Sequence, residues 1–392
     1  MRAFEHPIRI GMVGGGPGAG IATAHRAGLR LDGRYDLVAG VFSRDLDKSR
    51  QAAREFGVDE SRVYADYADM AAAEAAREDG IEAVAVVTPN ASHYPVSKVF
   101  LEHGIHVICD KPMTDDFDKA LELHWLAESK HLVFTLTHNY ACHSMVREAA
   151  RRVRCGDLGE LRMVQGEFAS GWAAGEVETE ADNKQAAWRT DPEQAGEASV
   201  IYDLGTHIHH LARYVSGLPI AALAADLSTV VPHRRVYDNA NVMLRFAGGA
   251  RGALWITMAA TGSEHGLRIR VVGSKASLEW RHEDPHHLQM RYPDGRREEL
   301  SQGGATLSAD AAELTRIGLG HPEGFLESFA NIYSEAAAAI AATRAGKRPT
   351  RDELAYPSTA DGVLGLQFVD AVRESAGEDG RWVRLAPIDG IR

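Results

Sequence analysis

Short apolar runs alternate with helix-forming segments through the first third of the chain. The runs are too short for buried helices and several are continuous in Val and Ile, which is typical of parallel strands covered on both faces. They are residues 8–13, 36–42, 81–88, 105–110 and 131–136. Segments between them, such as DLDKSRQAAREFG, begin with Asp and are rich in helix formers. This alternation predicts a doubly wound parallel sheet with right-handed crossovers over residues 1–138.

After residue 138 the apolar positions follow a period of two. In LRIRVV, Leu267, Ile269 and Val271 share one face, with Arg268 and Arg270 on the other. ASLEW and LQMRY repeat the alternation, which indicates an antiparallel sheet with one apolar and one solvated face. We expect a helix or another subunit to cover its less polar parts. Helical spacing returns near the C-terminus at Phe325, Phe329, Ile332, Tyr333, Ala336 and Ile340.

These patterns predict an α/β domain over residues 1–138 followed by an α+β domain over residues 139–392, built on a large, mostly antiparallel open sheet. A chain of 392 residues is too long for one ordinary core, which agrees with two domains. Whether a C-terminal helix packs back on the first domain is left open by the pattern.

Composition narrows the possible partners and surroundings. A net charge of -12 argues against nucleic acid, because binding phosphate backbones requires clustered Lys and Arg. Cys109, Cys142 and Cys155 show no CxxC spacing, so buried free thiols in a reducing compartment are expected. No leader pattern precedes IRIGMVGGG, and no apolar run approaches the roughly 20 residues of a membrane helix. We therefore expect a cytoplasmic protein without a membrane partner.

The segment GMVGGGPGAGIATAH directly follows the first predicted strand and begins a helix. Gly14, Gly16 and Ala19 fit the G-x-G-x-x-G/A spacing, in which glycines let the backbone approach a pyrophosphate at the helix N-terminus. The alternative is a glycine-rich turn without a ligand. The strand before the loop and the helix after it favour dinucleotide binding.

The end of the second predicted strand bears on the choice of cofactor. An acid there often binds the ribose of NAD, whereas an Arg can accept the 2'-phosphate of NADP. The position falls on Ser43, followed by Arg44 and Asp45. Both NAD and NADP therefore remain open.

Two further strand ends, VVTPN at 86–90 and ICDKP at 108–112, carry polar residues. Ligands of open α/β sheets lie beyond the carboxyl ends of the strands. Lys111 is therefore in position to act on a ligand, and Pro112 biases it away from helical geometry. A solvated surface lysine is the alternative.

The segment VIYDLGTHIHHLARYVSG predicts a helix with Asp203 and His207 four residues apart on one face. A carboxylate beside an imidazole orients it and raises its basicity, which suits a general base near neutral pH. The alternative is an acid in the first turn beside a structural histidine.

Together these elements resemble the Gfo/Idh/MocA oxidoreductase family. That family has a glycine-rich N-terminal Rossmann loop, a Glu-Lys-Pro motif after the fifth strand and a C-terminal Asp-x-x-x-His motif. The corresponding features here are VGGGPGA, Asp110-Lys111-Pro112 and the segment from Asp203 to His207, in the family's order along nearly the whole chain. The resemblance implies that Lys111, Asp203 and His207 are the catalytic set.

The resemblance also implies a role for each catalytic residue. His207 would accept the proton of a substrate hydroxyl, Asp203 would bind substrate and polarise the site, and Lys111 would position the hydroxyl and the nicotinamide. Hydride would pass from the carbinol carbon to NAD or NADP. The expected cofactor contacts are Gly14, Gly15, Gly16, Gly18, Ala19, Ser43, Arg44, Thr88, Pro89, Asn90, Asp110, Lys111 and Asn139.

Two positions depart from the family pattern. Asp110 replaces the usual Glu but should still serve as an orienting acid. His210 stands where many members have a second Asp, which puts part of the substrate contact set in doubt.

Within the family, the segments GWAAGEVETEADNKQAAWRTDPEQAGEAS and GHPEGFLESFANIY resemble members that act on cyclic polyols and pyranoses, such as scyllo-inositol or L-glucose dehydrogenases. Aromatic faces beside polar groups suit sugars, because C–H faces stack on rings while hydroxyls take directed hydrogen bonds. The candidate substrate contacts are Lys111, Asn139, Tyr140, Trp172, Trp188, Arg189, Asp203, His207, His210 and His321. Core, interface or loop-support roles are the alternative for the aromatic and polar members of this set.

A metal site is not expected at His207, His209 and His210. Positions two apart on a helix point in different directions, and no zinc-type spacing accompanies them.

The leading hypothesis is an NAD(P)-dependent dehydrogenase of an inositol or sugar. A glycoside-cleaving or 3-keto-glycoside enzyme of the same superfamily, with no net reduction of the cofactor, is one alternative. A non-catalytic NAD(P)-sensing regulator is another alternative. It predicts loss of the lysine or of the Asp/His pair, and both are intact here. The resemblance also implies a dimer or tetramer that pairs its open sheets face to face.

Overall fold

The computed structural model describes residues 6–180, 183–347 and 356–391. The chain divides into two compact units, one comprising Met1–Cys142 with Phe325–Val363 and the other His143–Gly324 with the residues from Leu364 on. The sequence pattern placed the domain boundary at residue 138 and left open whether a C-terminal helix packs back on the first domain. The helix Phe325–Arg344 falls in the first unit, and its apolar side chains complete that unit's core.

The first unit contains the predicted parallel sheet. Its strands are β1 (Ile8–Gly14), β2 (Tyr35–Val41), β3 (Ala83–Val87), β4 (His106–Cys109) and β5 (Phe134–Leu136). They lie in the order β2-β1-β3-β4-β5 and every pairing is parallel. The helices between them are α1 (Ala22–Leu31), α2 (Leu46–Phe56), α3 (Tyr67–Ala75), α4 (His93–Glu102) and α5 (Phe117–Ser129). The doubly wound architecture is confirmed.

Aspartates begin several of these helices, as the sequence pattern predicted. The Asp45 carboxylate accepts hydrogen bonds from the amides of Asp47 and Lys48 at the start of α2. Asp116 accepts a hydrogen bond from the Lys119 amide at the start of α5. Each such cap contributes about 1 kcal/mol, because it satisfies backbone donors that the helix leaves without a partner.

The core of the first unit joins the sheet to the helix Phe325–Arg344. Ile8, Ile10 and Met12 of β1 are fully buried in one cluster with Tyr333 and Ile340 of that helix. Burial of each large apolar side chain contributes roughly 1.5–3 kcal/mol. The late segment therefore supplies part of the hydrophobic core of the dinucleotide-type sheet.

The second unit is built on a nine-stranded sheet in the order β13-β12-β11-β10-β6-β9-β8-β7-β14. The strands are β6 (Leu161–Ala169), β7 (Ile220–Ser228), β8 (Asn239–Phe246), β9 (Arg251–Thr257), β10 (Leu267–Gly273), β11 (Ser277–Arg281), β12 (Asp284–Arg291), β13 (Arg297–Ser301) and β14 (Val383–Arg384). β6 and β9 pair in parallel, whereas their other neighbours pair antiparallel. The expected mostly antiparallel sheet is confirmed.

Helices of the later chain complete the two units. They are α6 (Ser144–Arg154), α7 (Lys184–Arg189), α8 (Pro192–Ala195), α9 (Thr206–Ser216), α10 (Ala309–Ala312), α11 (Phe325–Arg344) and α12 (Thr359–Gly377). Throughout the described part of the chain, we find no helix that is both long and apolar enough to span a membrane.

The faces of the large sheet differ as the alternation predicted. Leu267, Ile269 and Val271 of β10 are fully buried. On the same buried side, α9 packs so closely on β6 that a Cβ at Gly166 would lie 2.7 Å from Cγ1 of Ile208. Helices therefore cover one face, and the opposite face carries exposed side chains.

Candidate active site

The glycine loop is closed tightly against the ends of two neighbouring strands. A Cβ at Gly14, which has a φ of +84°, would lie 2.2 Å from the carbonyl oxygen of Val87. A Cβ at Gly16 would lie 2.5 Å from the carbonyl oxygen of Phe42. Both positions therefore exclude any side chain. Gly18 differs, because a Cβ there would meet no described atom within 4 Å. The loop thus presents bare backbone beside open space, as a pyrophosphate requires.

The end of β3 supplies a second feature that fits a nucleotide. The hydroxyl oxygen of Thr88 is buried and finds no hydrogen-bond partner among the described residues. Its methyl carbon would lie 2.9 Å from a Cβ at Gly14, so the hydroxyl belongs to the same strand-end region as the glycine loop. The next residues, Pro89 and Asn90, enter a 3-10 turn in which Ser92 donates to the Pro89 carbonyl. A buried polar atom without a partner suits a ligand contact.

The end of β2 uses its polar groups locally. The Ser43 hydroxyl accepts a hydrogen bond from the Asp45 amide at 3.1 Å, and the Asp45 carboxylate caps α2. Arg44 is exposed. Asp45, the acid two residues beyond the expected ribose position at Ser43, therefore already serves as a helix cap.

Asp110 anchors the loop that carries Lys111. Its Oδ1 atom accepts hydrogen bonds from the Lys111 amide at 2.9 Å and from the Thr137 hydroxyl at 2.6 Å. The His25 ring lies 3.9 Å from the same oxygen, and its other nitrogen is 2.9 Å from the Tyr333 hydroxyl. Burial raises the pKa of Asp110, but its contacts with His25, Lys111 and Thr137 outweigh burial and hold that pKa well below its usual range. Asp110 therefore acts on the loop as an ionised acid.

In the second unit, Asp203 lies in the π-helical segment Ile201–Gly205 and His207 in the first turn of α9. π-Helical turns occur frequently at functional sites. His207 is buried, and its ring centroid lies 6.1 Å from that of Phe168. From the sequence we expected one uninterrupted helix, so the π-helical segment before α9 was not predicted.

Arg189 contacts Asp203 directly. The Nε atom of Arg189 donates to Oδ2 of Asp203 at 3.0 Å. The guanidinium carbon also lies 4.3 Å from the centroid of a Trp188 ring and 5.8 Å from one of Trp172. Four of the predicted substrate residues are therefore gathered into one cluster, which we call the Arg189 cluster: Trp172, Trp188, Arg189 and Asp203. Its charge and aromatic surface suit a polyhydroxylated ligand.

Four other predicted substrate residues make contacts within their own unit. The Asn139 amide donates to the Ser328 hydroxyl at 3.1 Å, and Tyr140 is buried with its ring 6.3 Å from Phe325. His210 is buried and stacks on Tyr214 one turn later in α9. His321 is exposed in a turn and contacts the Gly318 carbonyl. The ligand roles of these four predicted residues stay predictions.

Sequence reasoning missed a group of histidines near Phe168. The ring of His265 lies 4.8 Å from Phe168 and 4.3 Å from His282, which in turn lies 5.6 Å from His143. Burial and the charge of neighbouring histidines lower the pKa of His143 to about 3 and that of His265 to about 4. These rings are neutral near pH 7. His265 and His282 flank the paired strands β10 and β11, and only the fold brings His143 to them from a distant segment.

No metal centre accompanies these histidines. Across residues 6–180, 183–347 and 356–391, the structure contains no group of three or more His, Cys, Asp or Glu side chains arranged to hold a metal ion.

Comparisons with known proteins agree with this geometry. Residues 8–138 match an oxidoreductase family with an NAD-binding Rossmann fold, and residues 146–279 match the GFO/IDH/MocA C-terminal domain. An uncharacterised oxidoreductase of Bacillus subtilis is 34% identical, with 98% of each chain covered. A levoglucosan dehydrogenase of Pseudarthrobacter phenanthrenivorans is 26% identical, covering 86% of this chain and 87% of its own.

A solved structure extends the comparison to the whole fold. An inositol dehydrogenase homologue from Azotobacter vinelandii, complexed with NADH and myo-inositol, is 36% identical with a TM-score of 0.90, covering 97% of this chain and 98% of its own. The chain therefore belongs to the GFO/IDH/MocA oxidoreductase family, and it is an NAD(P)-dependent dehydrogenase, as the sequence predicted.

Proposed function

We propose that this member of the GFO/IDH/MocA family transfers hydride from a secondary hydroxyl of a cyclic polyol or aldopyranose to NAD or NADP. The observation that carries the proposal is the Arg189 cluster, in which a guanidinium and a carboxylate stand beside two indole rings. Sugars and inositols offer both hydroxyls for charge-assisted hydrogen bonds and C–H faces for stacking on aromatic rings. The myo-inositol and levoglucosan named for two similar proteins belong to this chemical class.

The proposed cofactor contacts begin at the glycine loop. The backbone from Gly14 to Ala19 would hold the pyrophosphate, and the Thr88 hydroxyl would gain a partner. When bound, the nicotinamide ring supplies the hydride acceptor. Side chains of the protein position the substrate and accept its proton.

Three side chains have the proposed catalytic roles. Lys111 donates a hydrogen bond to the reacting hydroxyl and fixes its direction. His207 accepts the proton of that hydroxyl. The hydride leaves the carbon that bears the hydroxyl, and this carbon becomes a carbonyl carbon. Asp203, fixed by Arg189, accepts a hydrogen bond from a neighbouring hydroxyl. His265 and His282 are partly buried, and the His265 ring contacts Phe168, which the His207 ring also approaches.

A substrate panel tests this proposal directly. Inositols, aldopyranoses and glycosides are incubated with NAD or NADP, and the absorbance of the reduced cofactor is followed. We expect net reduction with at least one inositol or pyranose. Release of an aglycone without net reduction would instead identify the glycoside-cleaving chemistry. Cofactor binding without turnover of any panel member would favour the sensing regulator.

The exposed face of the large sheet supports self-association. Met163 of β6, Met243 of β8 and Trp255 of β9 are 46%, 55% and 41% exposed on three adjacent strands. Exposed apolar side chains grouped on one surface are typical of interaction sites. We propose that two copies of the chain pair these faces. Light scattering should give a multiple of the monomer mass, and Trp255→Glu should shift it toward the monomer; a monomeric wild-type chain would refute the pairing.

A further inference from the structure

His93 contacts two loops of the first unit. One carries Thr88, a proposed cofactor contact, and the other carries Lys111. It is the first residue of α4 and is fully buried. Its Nδ1 atom lies 2.7 Å from the Pro112 carbonyl oxygen, and its Nε2 atom lies 2.8 Å from the Thr88 carbonyl oxygen. One ring therefore spans the loop after β3 and the loop after β4.

These two contacts fix the protonation state of the ring. A backbone carbonyl only accepts hydrogen bonds, so each ring nitrogen must carry a hydrogen. Neutral imidazole has a single N–H and would direct a lone pair at one of the two buried oxygens. The imidazolium ion is the form that satisfies both contacts.

The surroundings of the ring favour its charged form. Cys109 and Asp110 face His93 from the end of β4. Burial lowers the pKa of His93, but Cys109, Asp110 and the Pro112 carbonyl outweigh burial and raise that pKa to about 9. The ionised Asp110 described above is consistent with a neighbouring cation.

The contacts of His93 and Asp110 bracket the lysine. The Lys111 amide donates to the Asp110 carboxylate at 2.9 Å, and the carbonyl of the following residue, Pro112, is held by His93. Backbone on both sides of Lys111 is therefore fixed. The other nitrogen of His93 holds the carbonyl of Thr88, the residue whose hydroxyl lies at the glycine loop.

We propose that His93 is a positioning residue which, as an imidazolium ion near neutral pH, ties the Thr88 and Pro112 loops together and thereby sets the place of Lys111. The contribution of His93 to turnover rests on the proposed function of Lys111. The charge state of His93 is independent of that proposed function. A displacement of about 1 Å at a reacting group can reduce a rate by roughly 100-fold. The effect of His93 should therefore appear in turnover.

Neutron diffraction from a deuterium-exchanged crystal near neutral pH tests the charge state of the wild-type protein. We expect deuterium on both Nδ1 and Nε2 of His93. A deuteron on a single nitrogen would overturn the proposal. This result stands whether or not any sugar is turned over, so it separates a failure of this inference from a failure of the proposed function.

The variant His93→Gln tests the positioning role. A glutamine amide donates from one end and presents an oxygen at the other, so it cannot hold both carbonyls. We expect kcat to fall about 10- to 100-fold while the Kd for the cofactor changes by less than about 3-fold. His103→Gln is the matched control, since His103 is exposed at the other end of α4 and should leave kcat unchanged.

Two outcomes would contradict the positioning role. One is a kcat for His93→Gln within about 2-fold of wild type. The other is a crystal structure of His93→Gln in which the Pro112 carbonyl and Lys111 keep their wild-type places. If the glutamine variant does not fold, the neutron experiment on the wild-type protein still decides whether His93 is the required cation.

Discussion

Replacing Arg189 by methionine should weaken catalysis through Asp203 without unfolding the protein. Methionine keeps the length and much of the apolar volume of the side chain, so packing against Trp188 is largely retained. It removes the guanidinium whose Nε atom lies 3.0 Å from Oδ2 of Asp203. The Asp203 carboxylate then loses the charged donor that fixes its direction.

The size of the effect follows from the burial of the pair. The side chains of Arg189 and Asp203 are 23% and 15% exposed, so water screens their interaction only in part. A hydrogen bond to a charged group contributes about 1.5–3 kcal/mol. Since each 1.4 kcal/mol corresponds to a factor of ten, kcat/KM should fall roughly 10- to 100-fold.

The assay measures kcat and KM for the best substrate of the panel, together with the Kd for the cofactor. Arg235→Met is the control, because the Arg235 side chain is 65% exposed and its guanidinium lies as far as 3.9 Å from the carboxylate of Asp191. We expect the control to stay within about 2-fold of wild type. Equal losses in the two variants, or a kcat/KM for Arg189→Met within 2-fold of wild type, would refute the role given to this contact.

Three further predictions concern the catalytic groups, the glycine loop and pH. Lys111→Ala and His207→Ala should each reduce kcat at least 100-fold with cofactor Kd within a few-fold; rates near wild type would reject their roles. Gly16→Ala should abolish cofactor binding in calorimetry, because its Cβ would lie 2.5 Å from a backbone oxygen, whereas Gly175→Ala meets no described atom within 4 Å and should bind normally. For the buried neutral histidines represented by His143, whose pKa is lowered to about 3, the unfolded chain binds more protons at mildly acidic pH. His143 should therefore cost the folded state nothing well above pH 6.5 and should lower the free energy of unfolding by about 2 kcal/mol at pH 5. Urea unfolding should show this slope, and a flat profile between pH 7.5 and pH 5 would contradict it.

Local rules determined much of the first unit. The strands of the parallel sheet followed from short apolar runs, and the starts of α2 and α5 from aspartates that cap them. Gly14 and Gly16 were recognised because a tight strand-to-helix turn excludes side chains, and the structure places backbone oxygens where their Cβ atoms would lie. These features depend on residues within a few positions of one another, so a single segment is enough to specify them.

Contacts between distant segments were decided by the tertiary structure. The return of α11 to the first unit depends on Tyr333 and Ile340 finding a place in a core formed 200 residues or more earlier in the chain. Likewise, the sequence identified Arg189 and Asp203 as separate candidates, but only folding placed one on the other. Apolar periodicity shows that a face will be buried and does not specify which surface will bury it.

The protonation states of the histidines show the same division. The sequence alone shows that His93 and His143 are present, each with an ordinary pKa near neutrality. Folding puts His93 between two carbonyl oxygens beside a carboxylate, and it buries His143 among other histidines. One ring is thereby made a cation and the other a neutral group. Charge depends on the distance to neighbouring groups and on the exclusion of water, and three-dimensional packing sets both quantities.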